Sequence, residues 1–168
     1  GTGTATLMTA GVDVQGVHKD APQLSSFYRL CSYDTLDSTN EEARSLAEAG
    51  AKDGTLVWSI MQRAGRGRRG RVWSSPPGNL YVSLILRPDC EAHTAAQLSF
   101  VAALAIYHTV CSTLPRSSDR VYLKWPNDVL ISGRKVAGIL LESRLQAGHK
   151  LDWVVVGTGI NIATFPHE

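Results

Sequence analysis

Cysteine is scarce in this chain. Cys31, Cys90 and Cys111 are the only three in 168 residues, and none stands in a CxxC spacing. An odd, scattered set argues against a disulfide framework and against a zinc site, and it fits a reducing compartment. The sequence shows no evident apolar run of 18 residues, so no membrane span is expected. The first 30 residues lack a basic segment followed by a long apolar one, so no secretory signal is read and cytoplasm is the default expectation. Excess charge is missing too: 17 basic against 15 acidic residues leave a net +2, which says little about partners. No Ser–His–Asp or Cys–His pattern for nucleophilic catalysis is apparent.

What is present is an ordinary globular balance, 43% hydrophobic and 19% charged, in a length suited to one compact domain. Such a domain buries roughly two-thirds of the surface its unfolded chain exposes, so it needs no staples. Residues 1–26 are rich in Gly, Thr, Ala and Ser without a period, and read as a loose N-terminal arm before a domain over 27–168.

A strand is expected at Phe27–Tyr33. Asp37-Ser38-Thr39-Asn40-Glu41-Glu42 then offers two capping boxes, Ser38 to Glu41 and Thr39 to Glu42, opening a short helix that Gly50 stops. Thr55–Met61 and Leu80–Leu86 read as strands by apolar and β-branched content. Between them, Gln62 to Gly78 holds four glycines and Pro76-Pro77, which excludes regular structure. Ala92–Leu114 has helix length and is apolar nearly all round, so a buried helix is expected. Val121–Trp125 and Asp128–Ile131 are short strands broken by Pro126. Lys135–Arg144 and Leu151–Asn161 are longer ones separated by a turn at Gln146-Ala147-Gly148. The expected class is α+β, a mixed, largely antiparallel sheet with helices packed on one face. No internal repeat is seen.

The chemistry starts in residues 63–71, Arg-Ala-Gly-Arg-Gly-Arg-Arg-Gly-Arg, where five of nine are arginine. Arginines this dense repel one another, so the loop wants an anion. Its glycines let the backbone wrap closely and turn N–H groups toward it, and arginine suits bidentate contact with phosphate or carboxylate. Gly65, Gly67 and Gly70 match GxGxxG, but no helix follows at once as a dinucleotide fold requires. A P-loop needs Lys-Ser/Thr where Arg71-Val72 stands. A basic loop for nucleic acid, or one that is merely solvated, stays open on these residues alone.

Three further islands bear on the choice. Lys124-Trp125-Pro126-Asn127-Asp128 sets a cation, a ring, a kink and a carboxylate in five residues. Gly133-Arg134-Lys135 with Ala137-Gly138 adds a lysine among small residues. Gly157-Thr158-Gly159-Ile160-Asn161 ends an apolar strand where a ligand can lie against bare backbone. Together with Ser38-Thr39-Asn40 and Gln62 with Gly65–Gly70, these islands resemble, in order and spacing, the motifs of the biotin protein ligase family. The resemblance runs from about Tyr33 to Asn161.

That resemblance implies a class II synthetase-like biotin/lipoate ligase catalytic domain that uses ATP, with Mg2+, to convert biotin to biotinyl-5'-AMP. The biotin then passes to a lysine of a biotin carboxyl carrier protein. It implies Ser38, Thr39 and Gln62 at the ureido ring, and Gly65 and Arg66 over the biotin. Arg68 and Arg69 would hold phosphate and adenylate. Lys135 would stand where the carboxylate meets the α-phosphate, and Gly138, Gly157 and Gly159 would form the pocket walls. Trp73 would stack on adenine and Asn161 read its edge. Lys124 and Asp128 would serve the triphosphate and magnesium, with Lys135, Arg68 and Lys124 carrying the catalysis.

Each residue also has a plainer reading: helix capping for Ser38 and Thr39, an exposed hairpin lysine for Lys135, a core anchor for Trp73, simple bends for the glycines. No DNA-binding helix-turn-helix precedes the region, so a repressor role is not expected. The family's usual small C-terminal β-barrel is expected to be missing after Glu168. The competing classes are a lipoate or octanoate transferase and a non-enzymatic nucleic-acid module. The first would carry a different arginine–glycine motif with histidine, or a catalytic cysteine, and neither is evident. A monomer and a homodimer paired through a sheet edge both fit the sequence.

Overall fold

A computed structural model of the chain describes residues 6–7, 23–114, 121–146 and 150–165. Most of the expected arm, and the tip of the turn at 147–149, lie outside these. Among the described residues eight strands form one sheet: β1 (Thr6–Leu7), β2 (Arg29–Leu36), β3 (Thr55–Gln62), β4 (Leu80–Leu86), β5 (Val121–Lys124), β6 (Asp128–Ile131), β7 (Arg134–Leu145) and β8 (Leu151–Ile160). Their order across the sheet is β1-β2-β3-β4-β8-β7-β6-β5. Only β2 and β3 are parallel; every other neighbouring pair is antiparallel. The mixed, largely antiparallel sheet is therefore as expected.

Helix α1 (Thr39–Glu48) is the crossover between the two parallel strands. It buries Ala43 and Ala47 on Cys31, Tyr33, Val57, Ile85, Trp153 and Val155. Arg87 secures its far end, donating from Nη2 to Ala47 O (2.6 Å) and from Nε to Ala51 O (2.9 Å) while pairing with Asp152 (3.1 Å). A guanidinium there satisfies carbonyls that the helix leaves open.

A short helix α2 (Ala92–Ala95) leads into α3 (Leu98–Thr113). Ala103, Ile106 and Val110 of α3 pack on Val129, Val136, Ala137, Ile139, Leu151, Val154 and Val156. Alternate residues of β8 thus serve different clusters: Trp153 and Val155 face α1, Val154 and Val156 face α3. Successive strand side chains point to opposite faces, so the helices stand on both faces of the sheet, not on one. Pattern alone does not show which face a crossover helix takes.

Three more expectations need correcting. Ala92–Thr113 is 22 residues long with mean hydropathy 1.4, enough by length and composition to cross a membrane, although the sequence reading found no such stretch. It is also not buried all round. Phe100, Val101 and Leu104 are exposed, because the sheet offers α3 one face only. Neither capping box forms: Ser38 is the N-cap residue of α1 but makes no side-chain cap hydrogen bond. The two glutamates bond elsewhere, Glu42 accepting from Tyr33 Oη (2.8 Å) and Glu41 pairing with Arg66 (2.9 Å).

Candidate active site

The sheet face that carries α1 holds a cavity of about 630 Å3, within the usual range for small-molecule sites. It opens at the carboxyl ends of the parallel pair. There β2 runs into the first turn of α1 and Leu36 pairs with Gln62 at the end of β3, the place where sheets with a βαβ crossover commonly bind ligands. Chain geometry thus brings Ser38, Thr39 and Gln62 together although Gln62 is 23 residues beyond Thr39. Gln62 Oε1 accepts from Thr39 N at 2.8 Å and lies 3.1 Å from Thr39 Oγ1, while its Nε2 donates to Ser75 Oγ at 2.8 Å.

Behind this pair runs a chain of polar groups that sequence reasoning missed. Ser83 Oγ lies 2.8 Å from Thr39 Oγ1 and donates to Asn40 Oδ1 at 2.6 Å. Asn40 Nδ2 donates to Glu142 Oε2 at 2.8 Å. Ser83 and Asn40 are buried, at 0% and 4% exposure, so these bonds satisfy groups that would otherwise be costly to bury. No local spacing announces them, because the partners lie 43 to 102 residues apart in sequence.

The arginine loop folds over the other side of the cavity. Arg66, Arg68 and Arg69 line it. Arg66 is tied to Glu41, and Arg68 Nη1 donates to Asn127 Oδ1 at 2.6 Å. Asn127 is itself fixed, its Nδ2 donating to Ile139 O and its backbone accepting from Ile139 N at 3.1 Å. Arg69 adopts φ 57, an unusual conformation for a residue with a side chain, and projects from the loop's single 3-10 turn. Gly65 does not line the cavity. A side chain there would strike Trp73 O and Ser75 Oγ, so the glycine lets the loop close on itself.

Trp73 follows the loop, and its ring lies on the sheet. A Cβ at Gly159 would meet the indole Nε1 at 2.5 Å, and one at Gly138 would meet Cζ3 at 3.1 Å. The two glycines, paired across β7 and β8, thus make room for the indole. Its N–H is buried and has no partner among the described residues. Lys135 Nζ stands 5.1 Å from the indole centroid and 2.8 Å from Asp128 Oδ1. Lys135 is therefore aimed into the cavity and is no free hairpin lysine. Lys124 and Trp125 border the same cavity.

Gly157 clears space for the Asn40 carboxamide, not for a ligand alone. Asn161, 5% exposed, has both amide ends engaged: Nδ2 donates to Lys135 O (3.3 Å) and Oδ1 accepts from Asn79 Nδ2 (3.4 Å). Of the sequence-predicted site residues, all but Gly65 border this one cavity. Among the described residues no group of three His, Cys, Asp or Glu is placed to hold a metal, so Asp128 stands as a lone carboxylate. Away from the cavity, burial pushes the Tyr33 hydroxyl well above its ordinary range, helped by its bond to Glu42 and by that residue's charge. Burial also raises the Cys31 thiol and the Tyr81 hydroxyl.

A crossover helix, an arginine-rich loop and a lysine–carboxylate pair on a mixed sheet thus gather around one cavity, a setting suited to an anionic ligand. Residues 33–161 match the model of the biotin/lipoate A/B protein ligase family, and the chain belongs to that family. It is 51% identical over 130 residues to the biotin--[acetyl-CoA-carboxylase] ligase of Paracoccus denitrificans, covering 77% of this chain and 53% of that protein. It is 41% identical to the bifunctional ligase/repressor BirA of Bacillus subtilis, covering 83% of this chain and 42% of that protein. Among solved structures it resembles the biotin protein ligase of Leishmania major in complex with biotinyl-5-AMP, with TM-score 0.66, 29% identity, and 83% of this chain and 58% of that one covered. It also resembles the Aquifex aeolicus enzyme in complex with biotin and ATP, with TM-score 0.62, 34% identity, and 82% and 54% covered. The chain spans about half the length of these curated relatives.

Proposed function

We propose that the chain carries the catalytic core of a biotin protein ligase. In the first step a biotin carboxylate oxygen attacks the α-phosphorus of ATP, and the bond to the β-phosphate bridging oxygen breaks. This gives biotinyl-5'-AMP and pyrophosphate. In the second, the neutral amine of a carrier-protein lysine attacks the acyl carbon, AMP leaves with the bonding pair, and the nitrogen sheds a proton. No enzyme nucleophile is needed. The work is positioning and neutralisation of charge at phosphorus.

The observation that carries this reading is the convergence of five separate sequence islands on one cavity lined by both polar groups and cations. Ser38, Thr39 and Gln62 take the ureido ring, and Arg66 closes over it with the backbone from Gly65. Lys135 sits at the junction of carboxylate and α-phosphate, with Arg68, Arg69 and Lys124 along the phosphates. Trp73 presents a ring to the ligand, Gly138, Gly157 and Gly159 keep the floor low, and Asn161 holds the Lys135 backbone at the adenylate end.

Magnesium fits as a guest of the substrate. Asp128 would supply one carboxylate beside the substrate's phosphates and water, and the ion would supply neutralisation of triphosphate charge. The partner is the lysine-bearing domain of a biotin carboxyl carrier protein, and the compartment is the cytoplasm, which suits three free cysteines. The domain comprises 27–168, with Thr6–Leu7 of the preceding arm adding an edge strand to its sheet.

The direct test is incubation with biotin, ATP and magnesium while pyrophosphate is followed and the nucleotide product is weighed by mass spectrometry. Biotin-dependent pyrophosphate with a biotinyl-AMP mass supports the reading. Lipoate- or octanoate-dependent release without biotin turnover replaces it with the related transferase.

A further inference from the structure

We propose that Glu142, which lies outside the ligand cavity, fixes the hydrogen-bond polarity of Thr39 and thereby makes the Thr39–Gln62 pair an acceptor site for a ligand N–H. The inference rests on the reading of this end of the cavity as the biotin ureido site.

An ionised carboxylate only accepts, so the group 2.8 Å from Glu142 Oε2 must be the Asn40 amide nitrogen, which also lies 3.4 Å from Leu140 O. Asn40 Oδ1 is then forced toward Ser83. That oxygen only accepts, so the single hydroxyl hydrogen of Ser83 goes to it, across 2.6 Å. Ser83 Oγ has no second hydrogen for Thr39, 2.8 Å away. The Thr39 hydrogen then has two acceptors within reach, Ser83 Oγ at 2.8 Å and Gln62 Oε1 at 3.1 Å, and Ser83, with no hydrogen left to offer, is the nearer.

With its hydrogen on the nearer acceptor, Ser83, Thr39 Oγ1 shows lone pairs to the cavity. Gln62 Oε1 also shows lone pairs, because the Thr39 backbone N–H already binds it at 2.8 Å. The two oxygens lie 3.1 Å apart, within hydrogen-bond reach of one another, and a ligand N–H takes the place of that longer contact. A ligand N–H entering between them satisfies both, while a ligand oxygen in the same place meets only lone pairs. A ureido N–H is such a donor. Glu142 is thus a positioning residue that acts through Asn40, Ser83 and Thr39. Gly157 belongs to the same device, since any side chain there would displace the Asn40 carboxamide.

The test is calorimetric titration of biotin and of its two cyclic-carbamate analogues, in which one or other ureido N–H is replaced by an ether oxygen. The wild-type chain is compared with E142M, E142Q, S83A and the double variant E142M/S83A. Glu142→Met removes the acceptor, lets the Asn40 amide turn, and weakens biotin binding by about tenfold. It also narrows the gap between biotin and the poorer carbamate. Glu142→Gln keeps an oxygen to present to Asn40 and restores most of both. Ser83→Ala frees the Thr39 hydrogen directly and has the same effect as E142M, and the double variant is no worse than either single one. In E142M the rate of adenylate formation at saturating biotin stays within about twofold of wild type, because the reacting atoms are untouched.

E142M binding biotin within twofold of wild type overturns the proposal, and so does unchanged discrimination against the carbamates or an E142Q no better than E142M. If E142M does not fold, S83A supplies the same discrimination readout. A wild-type chain that binds no biotin overturns the reading of the cavity and this inference with it. A wild-type chain that binds while the variants behave identically overturns the inference alone.

Discussion

Gly157 and Asn40 share one volume: a side chain on Gly157 in β8 would run into the carboxamide of Asn40 in the first turn of α1. The glycine therefore sets how close the crossover helix sits to the sheet, and with it the position of Thr39. Gly157→Ala is expected to cost about 1–3 kcal/mol of stability through overpacking and to weaken biotin binding more than tenfold. Denaturant unfolding and calorimetry measure the two. Unchanged stability would show that Asn40 has somewhere else to go.

Gly159 does for Trp73 what Gly157 does for Asn40. Gly159→Ala is expected to lift the indole off the sheet, and Trp73→Ala to leave the cavity without its aromatic wall. Both should raise the KM for biotin, and G159A should also change the near-ultraviolet circular dichroism as the ring loses its fixed setting. A normal KM in G159A would mean that the ring position is unimportant to the ligand.

Arg68 leads two lives on this account. It donates to Asn127 Oδ1 at 2.6 Å, and on the proposed function it also holds the adenylate phosphate. Arg68→Gly is expected to form adenylate but to release it into solution, since the loop then has no grip on the cavity's far wall. With acceptor omitted, free biotinyl-AMP should accumulate at least about tenfold faster than with the wild-type chain, because one charge-assisted hydrogen bond is worth about 1.5–3 kcal/mol. Retention equal to wild type would contradict the role.

Lys135 is expected to act on the reaction more than on binding. Lys135→Met leaves Asp128 without its cation and removes positive charge from the point where negative charge builds at the α-phosphate. The rate of adenylate formation should fall by about 10²–10³, the usual cost of losing one electrostatic stabiliser, with biotin affinity within a few-fold. A large loss of affinity with an unchanged rate would place Lys135 in binding alone.

Alkaline pH tests the packing around α1. Cys31 and Tyr33 have folded-state values raised above their ordinary 9.0 and 10.0 by burial, with Glu42 adding to both. A raised value stabilises the fold fully below the unfolded value, and that contribution disappears as pH rises toward the folded one. Stability should therefore decline from about pH 9 upward. The gap between wild type and Tyr33→Phe should narrow above pH 10. Thermal melts across pH 7–11 follow both, and a gap that widens above pH 10 would show the sign to be wrong.

The islands that named the site were legible because each is local. Arg66–Gly70, Lys124–Asp128 and Gly157–Asn161 announce their chemistry in five residues, and strands with turn signals supplied the sheet. What stayed hidden depends on register and facing. Glu142 looks like an ordinary polar strand residue until β7 is laid beside β8 with Glu142 opposite Val155, which turns it toward α1. Ser83 reads as a break in an apolar strand until Asn40 and Thr39 stand over it. The capping box at Ser38 misled because the glutamates found Tyr33 and Arg66, partners that only the folded chain provides. The apolar helix α3 misled because composition does not reveal that the sheet covers one side of it.

Biotin binding to the unliganded chain, followed by calorimetry, tests the central claim most directly. The account predicts a single saturable site of one biotin per chain, weakened by Thr39→Val and by Gln62→Ala. A chain that folds yet takes up no biotin at millimolar concentration would contradict it.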